Sequence, residues 1–309
     1  MLTNLLTVAG QVLTLFIMMA AGFVLKKLKK LTQPAQSQIM FILLYVVSPC
    51  LIINSMQLEP TASAWRDMGF AALGCIIYFV ISIIPSGILF RKQPPDTRDV
   101  LRFGGIYTNC AFMGIPLINS VLGGEALIFA TVFLIIFQLV HWTHGVVLMG
   151  GRENASLRAV LVNPGTFGFI IGLLFFALNI KLPSPIGNAL RFVADVNTPM
   201  AMFVIGAQMA DADLLKLFKV RELYAVSALK LIALPAVAAL ALLPLHMPPI
   251  VYCTVVILAA TPSAGVTAMF AERFKRDTAT AARIVSLTTL LSIITLPVFA
   301  TLAKFIAWR

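Results

Sequence analysis

Two short polar stretches interrupt an otherwise apolar chain: Thr108-Asn109-Cys110-Ala111-Phe112-Met113-Gly114-Ile115-Pro116 and Ala259-Ala260-Thr261-Pro262-Ser263-Ala264-Gly265. Asn109 brings an amide with two donors and a good acceptor. Pro116 and Pro262 lack an N–H and break the helices that contain them. The N–H groups at an opened helix end favour negative charge, so Asn109 beside such an end can grip a carboxylate without burying a full counter-charge. Thr261 and Ser263 add hydroxyls, although hydroxyls in apolar helices often bond back to their own carbonyls. Gly114, Pro116 and Pro262 shape the breaks. With Asn54, about a turn beyond Pro49, these are the candidate binding residues for a small organic anion.

Titratable groups are few. Asp195 is the acid that falls near the middle of an apolar stretch, where an ionisable group marks a pathway, a proton relay or a paired counter-charge. Arg191 lies four residues earlier on the same helical face and can simply pair with it. Asn197 and Thr198 follow and would add oxygen ligands, so Asp195, Asn197 and Thr198 form the coupling candidates. Lys230 falls about two turns inside its stretch, and its stem is expected to snorkel to the cytoplasmic surface, with attraction of an anion as the alternative; Arg283 reads the same way. Gln138, His141 and His144 recur at three-residue spacing and read as a polar seam facing neighbouring helices, with a proton wire as the alternative. Cys50, Cys75, Cys110 and Cys253 sit in apolar stretches and read as core residues. No metal-ligand spacing, cofactor motif, phosphate-binding glycine loop or nucleophile–base constellation stands out, so an enzyme is not expected.

The elements that must hold these residues follow from composition. Of 309 residues, 60% are hydrophobic and 11% charged, against about 25% charged in soluble domains. Mean hydropathy is +0.97. Apolar runs of about 20 residues, each long enough to cross roughly 30 Å of hydrocarbon, recur at 4–25, 36–57, 68–90, 103–121, 126–149, 159–179, 188–209, 222–244, 249–271 and 279–305. The first run has no basic residue before it and KKLKK (26–30) after it, the reverse of a signal peptide. A polytopic all-α membrane protein is expected. The formal net charge of +11 then reports topology rather than nucleic-acid binding. Sixteen Lys and Arg fall in one set of loops, including Arg152, Arg158, Lys216, Lys219 and Arg273, against five in the opposite loops and termini. Basic loops stay in the cytoplasm, which puts both termini outside; the basic ring can also touch anionic lipid.

An internal repeat organises the chain. Gly22, Pro49, Pro85 and Pro116 each stand in a different segment, and Gly172, Pro199, Pro235 and Pro262 follow at offsets of 150, 150, 150 and 146. Five segments per copy is an odd number, so the second copy enters the membrane inverted, which is the mark of secondary transporters. Residues 1–150 and 151–309 form the two repeats of one membrane domain. The fourth and ninth segments, each broken at proline, are expected to meet near the midplane.

The stretch from Thr108 to Leu117 resembles the fourth-helix motif of the auxin efflux carrier family, which includes plant auxin carriers and bacterial carriers named for malonate and other organic anions. LKLIALP (229–235), ATPSAG (260–265) and LTTLLSIITLP (287–297) extend the resemblance over the whole chain. The resemblance implies ten helices as two inverted five-helix repeats, similar to bile-acid and sodium–proton transporters, with helices four and nine broken, crossing and holding the substrate. It implies an anion contact for Asn109. Plant members carry an acid–lysine pair on the third helix; here LGCIIYF (73–79) carries no charge.

The expected function is secondary transport of a small organic carboxylate, malonate-like or aromatic, across a bacterial inner membrane. A sodium-coupled symporter of the bile-acid type and a passive anion channel are the alternatives. Expected partners are the anion and membrane lipid, not nucleic acid; a homodimer is left open.

Overall fold

A computed structural model describes residues 2–154, 163–211 and 221–308. They form α1 (Leu2–Lys27), α2 (Gln33–Ser55), α3 (Ala62–Leu89), α4 (Pro95–Ile106), α5 (Cys110–Leu122), α6 (Gly124–Gly150) and α7 (Pro164–Ala177). The order continues with α8 (Ser184–Asp195), α9 (Asn197–Asp211), α10 (Arg221–Leu245), α11 (Pro249–Ala260), α12 (Val266–Arg273) and α13 (Thr278–Ala307). Among the described residues, six helices are long and apolar enough to cross a membrane: α1, α2, α3, α6, α10 and α13. The apolar helices α5, α7 and α11 are shorter. The chain is therefore an all-helical, multi-pass membrane protein. Arg158, Lys216 and Lys219, and the expected helix start at 159, lie outside the described residues.

Three expected segments are divided in two. The fourth is α4 and α5 with residues 107–109 between them, the seventh is α8 and α9 hinged at Val196, and the ninth is α11 and α12 around residues 261–265. Proline sets several of these local shapes. It cannot donate a backbone hydrogen bond, and its ring crowds the carbonyl four residues back. The helix widens to accommodate it: π turns at Leu43–Val47, Cys110–Gly114 and Leu229–Ala233 directly precede Ser48-Pro49, Ile115-Pro116 and Leu234-Pro235. Pro85 and Pro297 stay within continuous helices.

Glycines allow close helix contacts. A Cβ on Gly22 of α1 would lie 2.3 Å from the Phe203 carbonyl oxygen of α9. One on Gly172 of α7 would lie 3.3 Å from the Ile53 Cα of α2. Small residues let membrane helices pack backbone to backbone, where no hydrophobic effect separates protein from lipid. One end of the bundle gathers ionic contacts: Lys26–Asp211 at 3.1 Å, Arg98–Asp99 at 2.9 Å and Arg276–Asp96 at 2.6 Å. At the same end Asp277 caps α13 through the Thr280 N–H at 2.9 Å.

Candidate functional site

The two broken stretches meet. Thr108 and Ser263 form an isolated antiparallel bridge. The Asn109 N–H donates to the Pro262 carbonyl at 2.8 Å, and the Ala264 N–H donates to the Tyr107 carbonyl at 2.9 Å. Backbone groups released by each break are thus satisfied by the other break, which apolar surroundings require. Side chains complete the exchange. Thr108 Oγ1 donates to the Leu258 carbonyl at 2.7 Å and contacts Thr261 Oγ1; Ser263 Oγ donates to the Gly104 carbonyl at 2.7 Å. Thr261 bonds back to its own helix at Leu258, 2.8 Å, and the Thr288 hydroxyl accepts from the Ser263 N–H at 3.2 Å. Gly114 lies where a Cβ would come within 2.5 Å of the Leu258 side chain.

The structure therefore brings Asn109, Gly114, Pro116, Thr261, Pro262 and Ser263 into one buried crossing. The Asn109 carbonyl accepts from the Met113 and Gly114 N–H groups at 3.2 and 2.9 Å, while its side chain does not cap α5. Asn54 sits half-buried in α2, whose residues 48–55 pack on α7, α8 and α6. Asp195 ends α8 exposed, and Arg191 is exposed too, with its guanidinium over the Phe192 ring. No ion pair joins Arg191 to Asp195 among the described residues. Asn197 is buried with its Nδ2 unpartnered, and Thr198 is half-buried beside it.

Lys230 departs from expectation. Its side chain does not snorkel but is fully buried. Nζ donates to Tyr78 Oη at 2.5 Å and to the Ala259 carbonyl at 3.3 Å, and Tyr78 Oη donates to the Ile106 carbonyl at 2.8 Å. The charge-free third segment supplies the tyrosine, and the eighth supplies the cation. The physical reason is local: the π turn at Leu229–Ala233 points Lys230 inward, where helix-end carbonyls take the place of water.

Beside the crossing lies a cleft of about 500 Å³ continuous with a second lobe of about 350 Å³; the two share Leu44, Ala111, Leu134, Gln138, Trp142, Asn163, Met269 and Glu272. The larger lobe is rich in amides: Gln33, Gln36, Gln138, Asn163 and Gln208. Lys26 donates to the Gln33 and Gln36 carbonyl oxygens at 2.9 and 3.3 Å, which places this lobe at the basic end of the bundle. The amino end of α7 forms part of its wall, with Asn163 Oδ1 accepting from the Gly165 N–H at 2.9 Å. The smaller lobe is aromatic. His141 stacks on Phe137 and contacts Phe270, both its ring nitrogens and Trp142 Nε1 lack partners, and Arg273 lies over the Trp142 ring.

Of the crossing, Ala111 and Phe112 reach the cleft. The amides at 33, 36, 163 and 208 escape sequence reasoning because they sit at helix ends, where polar residues are ordinary. Their signal was weak: several glutamines near the ends of very apolar segments. The seam of Gln138, His141 and His144 does face inward. Gln138 lines the cleft, His141 its aromatic lobe, and His144 Nδ1 meets Tyr107 Oη at 2.9 Å.

A bundle of membrane-crossing helices, interrupted at its centre and flanked by a polar cleft, has the build of a membrane transporter. The chain belongs to the membrane transport protein family, that of the auxin efflux carriers, whose family model matches residues 7–159 and 153–300. It is 23% identical over 295 residues to an "Uncharacterized transporter" of Methanothermobacter thermautotrophicus, covering 94% of this chain and 96% of that one. It is 22% identical over 300 residues to a "Putative malonate transporter" of Rhizobium meliloti, covering 93% of each.

Proposed function

We propose that this membrane transporter is a secondary carrier of a small organic carboxylate, bound where the amide-lined cleft meets the crossing at Ala111. The observation that carries this reading is the cleft: neutral amides and the amino end of α7 converge at the basic end of the bundle. Amide and backbone N–H donors hold a carboxylate with charge-assisted hydrogen bonds, and a helix amino end adds a favourable dipole. Asn109, Gly114, Pro116, Thr261, Pro262 and Ser263 build the crossing that presents Ala111, and Asn109, two residues from Ala111, is the crossing's amide nearest that opening in the chain. The name of the Rhizobium relative, concerned with malonate, agrees with a small anion. The aromatic lobe adds room for an apolar carboxylate.

The reading includes ten membrane segments in two inverted repeats, residues 1–150 and 151–309, with both termini outside a bacterial inner membrane. Support comes from the glycine contacts. Gly22 meets Phe203 and Gly172 meets Ile53, and both the glycines and their partners are 150 residues apart. Sliding of the crossing against the helices across the cleft, an elevator motion, would carry the anion across.

The test is uptake into proteoliposomes from a panel of labelled organic acids, including malonate and an aromatic monocarboxylate, under imposed pH, sodium and voltage gradients. Saturable uptake of a carboxylate supports the carrier. Uptake dependent on sodium would favour the symporter alternative, and unsaturable flux the anion channel.

A further inference from the structure

We propose that Lys230 is the proton-exchanging group of this protein, and that its protonation state controls whether the two broken helices stay closed on each other. The proposal rests on the reading of the chain as a transporter.

Charge is scarce inside the molecule. Among the described residues, Asp99 and Lys230 are the charged side chains that are buried. Asp99 is matched by Arg98 at 2.9 Å and Arg276 at 3.8 Å. Lys230, fully buried, has no carboxylate. It meets helix ends instead: Ala259, one residue from the carboxyl end of α11, and through Tyr78 the last residue of α4, Ile106. Each helix carboxyl end carries roughly half a negative charge. Two such ends brought together at a crossing balance one ammonium. A neutral amine there would leave both ends uncompensated in apolar surroundings, where the interaction of charges is strongest. The ammonium therefore holds the crossing closed, and loss of its proton releases it.

The surroundings fit exchange rather than a fixed ion pair. Cys110 is an electrostatic neighbour of Lys230, and Cys75, Cys110 and Tyr107 flank Tyr78. The elements packed on this turn also carry Asp99 and Arg102 (α4), Tyr252 and Cys253 (α11) and Arg283 (α13), and Tyr107 Oη meets His144 Nδ1. The buried carboxylate among these, Asp99, is already paired with Arg98 and Arg276.

Free hydroxyls lie on one side of the group. Ser227 lies one helical turn before Lys230, and Ser86 lies about two turns beyond Tyr78, both toward the basic end. Both are buried, and neither hydroxyl has a hydrogen-bond partner. A Cβ on Gly105 would meet Ser86 Oγ at 3.0 Å, Leu229 at 3.5 Å and Val226 at 3.6 Å, so α3, α4 and α10 converge at this glycine. A hydroxyl both accepts and donates, so these free groups stand on the side from which the amine's proton would leave, toward the loops at Arg91 and Arg221. In the step itself Nζ keeps the electron pair and releases one proton, with no co-reactant. Lysine can do this and arginine, permanently charged, cannot.

The experiment needs no substrate. Purified protein in proteoliposomes on a solid-supported membrane is given a pH step from alkaline to mildly acidic, and the transient charge displacement is recorded. Wild type should show a displacement. Lys230→Gln should abolish it, and Lys230→Arg should abolish it as well while keeping the cation on the helix ends. Asp195→Asn should leave it intact. Gel filtration and melting in detergent check folding; should Lys230→Gln not fold, Lys230→Arg decides alone. A silent wild type, or a displacement that survives either Lys230 variant, overturns the proposal. Loss in Asp195→Asn alone also overturns it and moves proton exchange to α8. Because no organic acid is present, these outcomes are independent of whether the cleft binds carboxylates.

Discussion

Asn109 and Gln138 divide the question of where the anion sits. Asn109 belongs to the crossing and is legible in the sequence, because an amide beside a proline-broken apolar helix is conspicuous. Gln138 lines the cleft and reads only as part of a seam. A hydrogen bond from a neutral donor to a charged group contributes about 1.5–3 kcal/mol, or roughly ten- to a hundredfold in affinity. Gln138→Ala should weaken carboxylate uptake by that order, read as a rise in KM with folding unchanged. Asn109→Ala should do the same, and Asn109→Asp should be worse, since a fixed negative charge repels the anion. Normal uptake in both Asn109 variants with loss in Gln138→Ala would confine the site to the cleft and leave the crossing as scaffold. Lys230 shows the limit of reading residues singly. Its distance from a helix end is visible, but the π turn that directs it inward depends on how Pro235 is accommodated.

The helices were legible where their apolar runs were long and ended in charge; α1, α6 and α13 follow the hydropathy closely, and α3 starts six residues before its apolar run, at Ala62. The break at 261–265 was legible in Pro262; the one at 107–109 was legible only in its region, because the chain opens at Thr108-Asn109 while Pro116, expected to break the helix, stays within α5 behind a π turn. The hinge at Val196 and the amino-terminal extension of α4 back to Pro95 were not, because both depend on tertiary packing rather than on apolar length. Two predictions belong to this scale. Gly114→Leu would place its first side-chain carbon about where the Leu258 side chain now lies, 2.5 Å from a Gly114 Cβ. Overpacking of this kind costs about 1–3 kcal/mol, so the variant should lose transport and melt earlier in detergent. Asp277 caps α13. Burial raises its carboxyl pKa, but hydrogen bonds from Thr280 and Thr97 outweigh that and hold it below the ordinary value of 3.8. A depressed pKa stabilises the folded form above the unfolded pKa, and the contribution fades as pH falls through the folded value. Asp277→Ala should therefore lower stability by about 1 kcal/mol near neutral pH, and the gap to wild type should close in strong acid.

At the scale of the whole molecule, the basic asymmetry makes a prediction that the helices alone do not. Single cysteines at Lys30 and Arg152 in a cysteine-free background should be shielded from an impermeant thiol reagent in intact cells, and one at Thr61 should react. Reaction at all three, or the reverse pattern, would overturn the inverted topology. The membrane class was legible in composition alone, because a chain with 11% charge cannot clothe a water-facing surface. The cleft was not legible. It arises between elements as distant in sequence as Gln33 and Glu272, and nothing local marks residues that will share an empty space.

The pair of glycine contacts has a consequence for ancestry. Under the proposed inverted repeat, Gly22 against Phe203 and Gly172 against Ile53 are equivalent contacts with the roles of the two halves exchanged. That reciprocity is the geometry of a self-complementary dimer, in which residue i meets j and j meets i. A half-length ancestor with this surface would have bound its own copy in the membrane. The present halves should keep that mutual affinity without a covalent link. Residues 1–150 and 151–309, expressed as separate chains in one cell, should copurify as a stoichiometric complex. Replacing Gly22 and Gly172 with leucine should prevent their assembly.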